Sequence, residues 1–172
     1  MKLLIIGAGG VGTSAAKIIQ LQGKEGEWAE KVVIADYNEA RAKTVAEDIC
    51  GGGRFVAEKI NARDPENIKA IMKKHEITWV MNAVEPDFNQ NIFDTCLEMK
   101  SGYLDCAMTL SKPDEAQVGQ KELSYEKLGD YQFGKHAEWE KAGNMAIVGS
   151  GVEPGMADVF AKFASKHLFD KI

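Results

Sequence analysis

The glycines near the start of the chain have the spacing that a phosphate-binding turn requires. Residues 7–12 read Gly-Ala-Gly-Gly-Val-Gly and follow an apolar run. In such a turn the first glycine permits a sharp exit from a strand, the second leaves room for a pyrophosphate, and the last permits close helix packing. The alternative is a plain α/β fold whose first turn is glycine-rich. The position of the motif favours a dinucleotide site formed by Gly7, Gly9, Gly10, Val11 and Gly12.

An acidic residue, Asp36, closes the second apolar run of the chain. A carboxylate at this point accepts hydrogen bonds from ribose hydroxyls and repels a 2′-phosphate. Tyr37 stands where an arginine would be expected if a phosphate had to be neutralised, and Asn38 follows it. These three residues predict a ribose site that prefers NAD, whereas Arg41 keeps NADP open. Asp36 could also cap the helix that begins near Glu39, and the two roles can coexist.

Polar and small residues follow two further predicted strands. The group after the third strand could hold the edge of adenine, although Asp64 could equally cap the next helix. The group after the fourth strand would lie beside the ribose and nicotinamide, where small side chains let a cofactor approach. The amide of Asn82 can donate or accept a hydrogen bond there. The first group is Asn61, Ala62 and Asp64, and the second is Asn82, Ala83 and Val84.

Catalytic residues are harder to assign from the sequence. Tyr103 and Asp105, near the end of the fifth predicted strand, are the best polar candidates for catalysis beside a nicotinamide. Their alternative role is that of strand and turn residues at the core. His75 is expected to be a solvated residue at a helix end. The three histidines and three cysteines have no metal-ligand spacing, so we predict no bound metal.

The elements that would position these residues alternate along the chain between short apolar runs and longer amphipathic segments. This alternation predicts an α/β fold of the Rossmann type, a doubly wound and mainly parallel sheet of about six strands with helices on both faces. Residues 109–134 break the rhythm and are expected to form a loop excursion. The predicted strands are 2–6, 31–35, 54–58, 78–81, 103–105 and 145–148. The predicted helices are 11–22, 39–49, 65–75, 90–99, 131–142 and 155–167.

The composition is that of an ordinary globular chain. Its 172 residues suit one domain, and its net charge of −5 comes without the basic stripe that a nucleic-acid partner would need. A helix needs about 20 consecutive apolar residues to span a bilayer, and no apolar run of the sequence approaches this length. No membrane partner is therefore expected. The three cysteines are widely spaced, which favours free thiols in a reducing cytoplasm.

Four segments together resemble the saccharopine dehydrogenase-like oxidoreductases, which include saccharopine reductases and carboxynorspermidine synthases. They read GAGGVG, ADYNEARA, VMNAVEPDFNQNIFDTCLEMKSGYLDCA and GSGVEPGMADVFAKFASKHLFDKI. The resemblance implies an NAD(P)-dependent oxidoreductase that transfers hydride to or from a C–N bond. That bond belongs to an imine or secondary amine formed from an amino compound and a carbonyl partner. The implied substrate is an amino acid or a polyamine precursor.

Members of this family are considerably longer than this chain. We therefore expect residues 1–172 to be the NAD(P)-binding domain of a longer enzyme, with the substrate domain absent and the isolated chain inactive. Apolar surface left uncovered in this way would favour self-association as a homodimer. Two alternatives stay open, because one fold serves many functions. The chain could be a non-catalytic dinucleotide-sensing module, or part of a Rossmann dehydrogenase that acts on another small substrate.

Overall fold

A computed structural model describes residues 1–113 and 125–169 of the protein. Its central sheet contains six strands, and a separate antiparallel pair contains two. The strands of the central sheet are β1 (Lys2–Ile6), β2 (Lys31–Asp36), β3 (Phe55–Lys59), β4 (Trp79–Asn82), β5 (Gly102–Asp105) and β8 (Ala146–Ile147). The separate pair is β6 (Lys112–Pro113) and β7 (Tyr125–Glu126).

The strand order of the central sheet is β3-β2-β1-β4-β5-β8, and every neighbouring pair is parallel. The chain therefore moves outward from β1 in one direction and then returns to build the other half. The order reverses between β1 and β4, which opens a crevice at the carboxyl ends of the strands. The prediction of a doubly wound parallel sheet is confirmed.

The helices cover both faces of this sheet. The alternate residues of β1 point to opposite faces, as strand geometry requires. Leu4 and Ile6 belong to one buried cluster and Leu3 and Ile5 to the other. The helices are α1 (Gly10–Leu21), α2 (Glu39–Lys43), α3 (Pro65–His75), α4 (Asn89–Glu98), α5 (Asp130–Gly134), α6 (His136–Lys141) and α7 (Met156–His167). Shorter helical turns are Gly23–Gly26 and Pro86–Phe88, and a π-helical segment, Thr44–Ile49, continues α2.

The start of α3 shows how local sequence fixes an element that borders the site. The carboxylate of Asp64 accepts hydrogen bonds from the backbone N–H groups of Glu66 and Asn67, at 3.0 and 3.3 Å. Pro65 then occupies the first helical position, where its missing N–H costs no helical hydrogen bond. These residues end the loop that follows β3 and begin the helix at a defined point.

The predicted excursion at residues 109–134 is only partly described, and residues 114–124 lie outside the described ranges. Its described part includes β6, β7 and the helix α5, so the prediction of a loop as far as residue 134 is wrong at that end. The single helix predicted over 131–142 is divided into α5 and α6 around Lys135. Gly134 precedes the division, and glycine is a weak helix former.

The last helix of the described chain, α7, packs differently from the others. None of its residues is buried, although its sequence is amphipathic. Met156, Val159, Phe160 and Phe163 are exposed by 45%, 64%, 64% and 55%. These spacings place an apolar stripe along one side of the helix. The described part of the chain thus leaves an apolar surface uncovered at α7.

The three cysteines are free thiols, as the sequence predicts. Cys50 and Cys96 are buried in the core, and Cys106 is half-buried after β5. Among residues 1–113 and 125–169, none of the helices combines the length and apolarity that a bilayer crossing requires.

Candidate functional site

A cleft of about 750 Å³ lies at the carboxyl ends of β1, β2, β3 and β4. This is the crevice that the reversal of strand order opens. Four strand-end loops contribute to its wall, so residues far apart in sequence meet there. The lining residues are Ile6, Gly7, Gly9, Asp36, Tyr37, Arg41, Ile60, Asn61, Ala62, Arg63, Ala83, Val84, Glu85 and Phe88.

The glycines of the first turn divide into two pairs by the space around them. Gly7 has a φ of +105°, and a Cβ there would lie 2.7 Å from the carbonyl oxygen of Ala83. A Cβ on Gly12 would lie 1.9 Å from the carbonyl oxygen of Gly7, whereas Gly9 and Gly10 have nothing within 4 Å of theirs. The fold itself therefore requires Gly7 and Gly12. Gly9 and Gly10 instead leave open space at the N-terminus of α1.

The start of α1 has donors available for an anion. Gly9 is its N-cap residue and offers no side-chain hydrogen bond, and the first turn contains no acidic residue. The first backbone N–H groups of a helix lack partners within the helix, and the helix dipole is positive at this end. Val11, in this turn, is exposed by 51%. This arrangement suits a phosphate or pyrophosphate.

The carboxylate of Asp36 connects the end of β2 to the glycine turn. Its Oδ2 accepts a hydrogen bond from the backbone N–H of Ala8, and its Oδ1 accepts one from the backbone N–H of Asn38, each at 2.8 Å. The guanidinium of Arg41 lies 3.9 Å from the same carboxylate, whose side chain is 11% exposed. Asp36 thus presents negative charge to the cleft from a fixed position.

The alternative interpretation of Asp36, as the cap of the next helix, is wrong, because Asn38 performs that role. The Asn38 side chain is the N-cap of α2 and accepts a hydrogen bond from the backbone N–H of Arg41 at 3.3 Å. Asn38 is absent from the lining of the cleft, whereas Tyr37 lines it and is 73% exposed. A cap needs a side chain one residue before the helix. Asp36 is too early in the chain.

The residues predicted after β3 separate into two functions. Asn61 and Ala62 line the cleft, whereas Asp64 does not. Asp64 is the N-cap of α3, as the alternative interpretation of its sequence predicts. The side-chain oxygen of Asn61 accepts a hydrogen bond from the backbone N–H of Arg63 at 3.1 Å. This contact fixes the shape of the loop.

The residues predicted after β4 also separate. Ala83 and Val84 line the cleft, but Asn82 is only 1% exposed. The amide nitrogen of Asn82 donates to Oδ1 of Asn89 at 2.7 Å and to the hydroxyl of Tyr103 at 3.1 Å. Its oxygen accepts from the backbone N–H of Val84 at 3.3 Å. Asn82 therefore shapes the loop that lines the cleft and has no exposed surface of its own there.

Tyr103 and Asp105, the candidates for catalysis, lie in the core behind the strand ends. They are 0% and 1% exposed, and neither lines the cleft. The Tyr103 hydroxyl donates to Oδ2 of Asp105 at 2.8 Å. Asp105 also accepts from the amide of Gln132 at 2.6 Å and, through Oδ1, from the backbone N–H of Gly149 at 2.7 Å. The pair therefore fastens β5 to α5 and to the loop after β8.

Burial dominates the electrostatics of this pair. It raises the pKa of the Tyr103 hydroxyl, and the neighbouring Asp105 carboxylate raises it further. Burial also raises the pKa of Asp105, although the three hydrogen bonds from Gly149, Gln132 and Tyr103 oppose the effect. A catalytic role for either residue stays a prediction. The described contacts are those of groups that hold loops in place.

His75 corrects another prediction. It is 7% exposed rather than solvated, and its Nε2 lies 2.7 Å from Oε1 of Glu58 on β3. Ile68, Ile71 and Met72 are buried on the same face of α3. His75 follows them at helical spacing, so the periodicity of the sequence contains the signal that places it inward.

Besides the apolar Ile6 and Ile60, three lining residues were not assigned a role from the sequence. Arg63, Glu85 and Phe88 belong to the loops after β3 and β4. The guanidinium carbon of Arg63 lies over the ring of Phe88, 4.9 Å from its centroid. No short motif contains both residues, because their proximity depends on two neighbouring loops. Within residues 1–113 and 125–169, no group of three or more His, Cys, Asp or Glu side chains could hold a metal ion.

Comparison with known proteins adds independent findings. A family model described as the saccharopine dehydrogenase NADP binding domain matches residues 3–147. The carboxynorspermidine synthase of Vibrio alginolyticus is 33% identical over 180 residues, which cover 100% of this chain and 41% of that protein. The carboxyaminopropylagmatine dehydrogenase of a Synechocystis species is 29% identical over 172 residues, which cover 99% of this chain and 39% of that protein. The chain thus spans well under half the length of these relatives.

Among solved structures, the saccharopine dehydrogenase (L-Glu forming) of Saccharomyces cerevisiae superposes with a TM-score of 0.68. The superposition covers 96% of this chain and 31% of that one, at 16% sequence identity. At this identity the likeness concerns the fold alone. It supports the Rossmann-type α/β fold described above.

Proposed function

Because the chain belongs to the family of saccharopine dehydrogenase NADP-binding domains, we propose that it binds a nicotinamide dinucleotide in the cleft and prefers NAD to NADP. The observation that carries this proposal is the open space at Gly9 and Gly10, beside the uncapped start of α1. A pyrophosphate would receive hydrogen bonds from the free N–H groups there. The volume and the four-loop lining of the cleft fit an extended ligand.

The rest of the cleft supports one direction for the dinucleotide. Asp36 and Tyr37 would face the adenosine ribose, and Asn61 and Ala62 would lie at the adenine. The loop after β4 lies on the other side of β1. Its residues Ala83 and Val84 would approach the second ribose and the nicotinamide. The direction follows from the order of the strands, since β2 and β3 lie on one side of β1 and β4 lies on the other.

The preference for NAD rests on Asp36. Its carboxylate is held by two backbone N–H groups and cannot turn away from a 2′-phosphate without losing them. Arg41 and Arg63 also line the cleft and support the alternative, in which NADP binds through contacts with a guanidinium. Arg41 lies 3.9 Å from Asp36, so part of its charge is already balanced. We therefore favour NAD.

For the activity that such a cofactor-binding domain serves, we propose hydride transfer to or from the C–N bond of an imine or secondary amine. The relatives are a carboxynorspermidine synthase and a carboxyaminopropylagmatine dehydrogenase, and their names support a substrate related to amino acids or polyamine precursors. When bound, the nicotinamide supplies or accepts the hydride. The described chain would bind and orient that cofactor, and we expect no turnover by residues 1–172 alone.

Calorimetric titration of the chain with NAD, NADH, NADP and NADPH at fixed salt tests the proposal. We expect saturable binding at one site, with the non-phosphorylated pair bound more tightly. Tighter binding of the phosphorylated pair would assign the site to NADP and reduce Asp36 to a structural role. No binding by a chain shown to be folded by circular dichroism would overturn the dinucleotide proposal.

We also propose that two copies of the chain associate through the apolar stripe of α7. In an antiparallel pairing of this helix, Asp158 near one end would face Lys166 near the other end of the second copy. The exposed Phe160 and Phe163 support such a contact. Light scattering after gel filtration should give a dimer mass. The double variant Phe160→Ser, Phe163→Ser should be monomeric, and a monomeric parent chain would contradict the proposal.

A further inference from the structure

We propose that the adenine of the bound dinucleotide stacks on the guanidinium of Arg63, which the ring of Phe88 supports from behind. This inference rests on the proposed function and adds a recognition element for one end of the ligand. The 4.9 Å separation between the guanidinium carbon and the Phe88 ring centroid is within the range of cation–π contacts. Both side chains line the cleft.

The backbone of Arg63 is fixed before any ligand arrives. Its N–H donates to the side-chain oxygen of Asn61 at 3.1 Å, and its carbonyl accepts from the side-chain amide of Asn91 at 3.4 Å. Asp64, the next residue, begins α3 as its cap. The side chain of Arg63 therefore projects from a defined point in the loop.

Phe88 gives the guanidinium a rigid support. It ends the helical turn Pro86–Phe88 that follows β4, and its ring packs against the larger buried cluster of the sheet. A guanidinium held over an aromatic ring loses fewer conformations when a ligand binds than one that moves freely in solvent. The two loops together form a preorganised surface at the β3 side of the cleft.

Arg63 differs from the other arginine in the cleft in its charged neighbours. Arg41 has the Asp36 carboxylate 3.9 Å away. Within the described ranges, Arg63 makes no ion pair with a carboxylate within 4.0 Å. Its positive charge is thus available to a π system. Adenine offers one, and a planar, delocalised guanidinium stacks on such a face as an ammonium group does not.

The position also agrees with the neighbours of Arg63. Asn61 and Ala62 line the cleft immediately before it and would lie at the edge of the same base. An adenine that stacks on Arg63 could be read along its edge by the side-chain amide nitrogen of Asn61. The face of the base would supply most of the affinity, because stacking depends little on hydrogen-bond pattern.

Matched variants of Arg63 separate stacking from simple charge attraction. Arg63→Met should weaken NADH binding by about tenfold or more, and Arg63→Lys should not restore it, because lysine keeps the charge but loses the planar group. Phe88→Leu should weaken binding several-fold in the same direction. Lys73→Met, which removes one exposed positive charge from α3 outside the cleft, should leave the affinity unchanged.

The choice of ligand sharpens the test. NADH and its hypoxanthine analogue should lose the same factor in Arg63→Met, since both purines stack, and NADPH should lose no more than NADH does. Restoration by lysine, or a loss confined to NADPH, would show a phosphate contact and overturn the stacking proposal. Unchanged NADH affinity in Arg63→Met would overturn it too. These outcomes differ from failure of the proposed function, in which the folded parent chain binds none of the dinucleotides.

Discussion

The Oδ2 atom of Asp36 lies 2.8 Å from the backbone nitrogen of Ala8 and accepts its hydrogen bond. A residue at the end of the second strand therefore holds the turn that follows the first. The same carboxylate would contact the ribose of the proposed ligand. Its effect on binding thus has two origins, the shape of the glycine turn and direct contact with the cofactor.

Substitution of Asp36 by alanine should weaken NADH binding by about tenfold or more, since the ribose acceptor is lost and the turn is released. NADPH binding should weaken less, because removal of a negative charge relieves repulsion of the 2′-phosphate. Stability should fall by about 1–3 kcal/mol, because the partly buried N–H of Ala8 and the exposed N–H of Asn38 lose their acceptor. Titration calorimetry and urea unfolding measure the two effects. Glu39→Ala, which removes a nearby exposed carboxylate, is the control, and equal losses for both cofactors would contradict a role in selecting NAD.

Two glycine substitutions should have opposite consequences. Gly9→Val should abolish detectable dinucleotide binding and leave the fold intact, because its Cβ meets no atom within 4 Å in the protein. Gly12→Ala should destabilise the fold by about 1–3 kcal/mol or more, because its Cβ would lie against the Gly7 carbonyl. Thermal unfolding and calorimetry on both variants distinguish the roles. A Gly9→Val chain that binds like the parent would show that no pyrophosphate lies at that point.

The buried Asp105 should make stability depend on pH with an unusual sign. Burial raises its pKa above the ordinary value of 3.8, so the folded protein holds its proton to a higher pH than the unfolded chain does. The stabilisation that this proton gives the fold is fully present below the ordinary pKa. It declines as pH rises through the higher pKa of the folded state. The free energy of unfolding of the parent, relative to that of Asp105→Asn, should therefore fall as pH rises across this window. Urea unfolding of both proteins at several pH values measures it, and a relative free energy that rises with pH would contradict the expectation.

Glu58 should show the opposite dependence. Burial tends to raise its pKa, but hydrogen bonds and charge from Lys74 and His75 lower it overall, below the ordinary value of 4.5. A lowered carboxyl pKa stabilises the fold above the ordinary pKa, and that contribution is lost as pH falls through the folded-state value. Glu58→Gln should cost about 1–3 kcal/mol near neutrality and less in acid. Urea unfolding near neutral pH and in acid measures this loss in the free energy of unfolding. An equal loss at both pH values would mean that the charge of the carboxylate does not stabilise the fold.

Most of the fold was predictable because its signals are local or periodic. The buried runs of β1 and β2, the cap at Asp64 and the glycine turn each depend on residues adjacent in sequence. The structure places all of them where the patterns indicate. The cleft-lining glycines, Asp36 and Asn61 follow from the same reasoning, because carboxyl ends of parallel strands meet at one edge.

Sequence patterns were least informative where side-chain direction or tertiary contact decides. Tyr103 and Asp105 belong to β5, a strand that leads to the site, but their side chains lie in the core and bond to Asn82, Gln132 and Gly149. A catalytic role for them stays a prediction. The contact between Arg63 and Phe88 could not be predicted either, because it joins two loops that lie far apart in sequence. The prediction that His75 is solvated was wrong for a different reason. Its helical spacing from Ile68, Ile71 and Met72 already indicated that it is buried.

The central place of β1 also has a consequence for how the protein is made. During synthesis β1 emerges before its neighbour β4 (Trp79–Asn82), which follows only after β2 and β3 have been translated. Until then one edge of β1 has no native partner, and closing the sheet is a long-range step in folding. Gly7 packs against the Ala83 carbonyl that β4 delivers. A nascent chain therefore completes its glycine turn late. The proposed cofactor can bind, and so stabilise the fold, only after β4 has paired with β1.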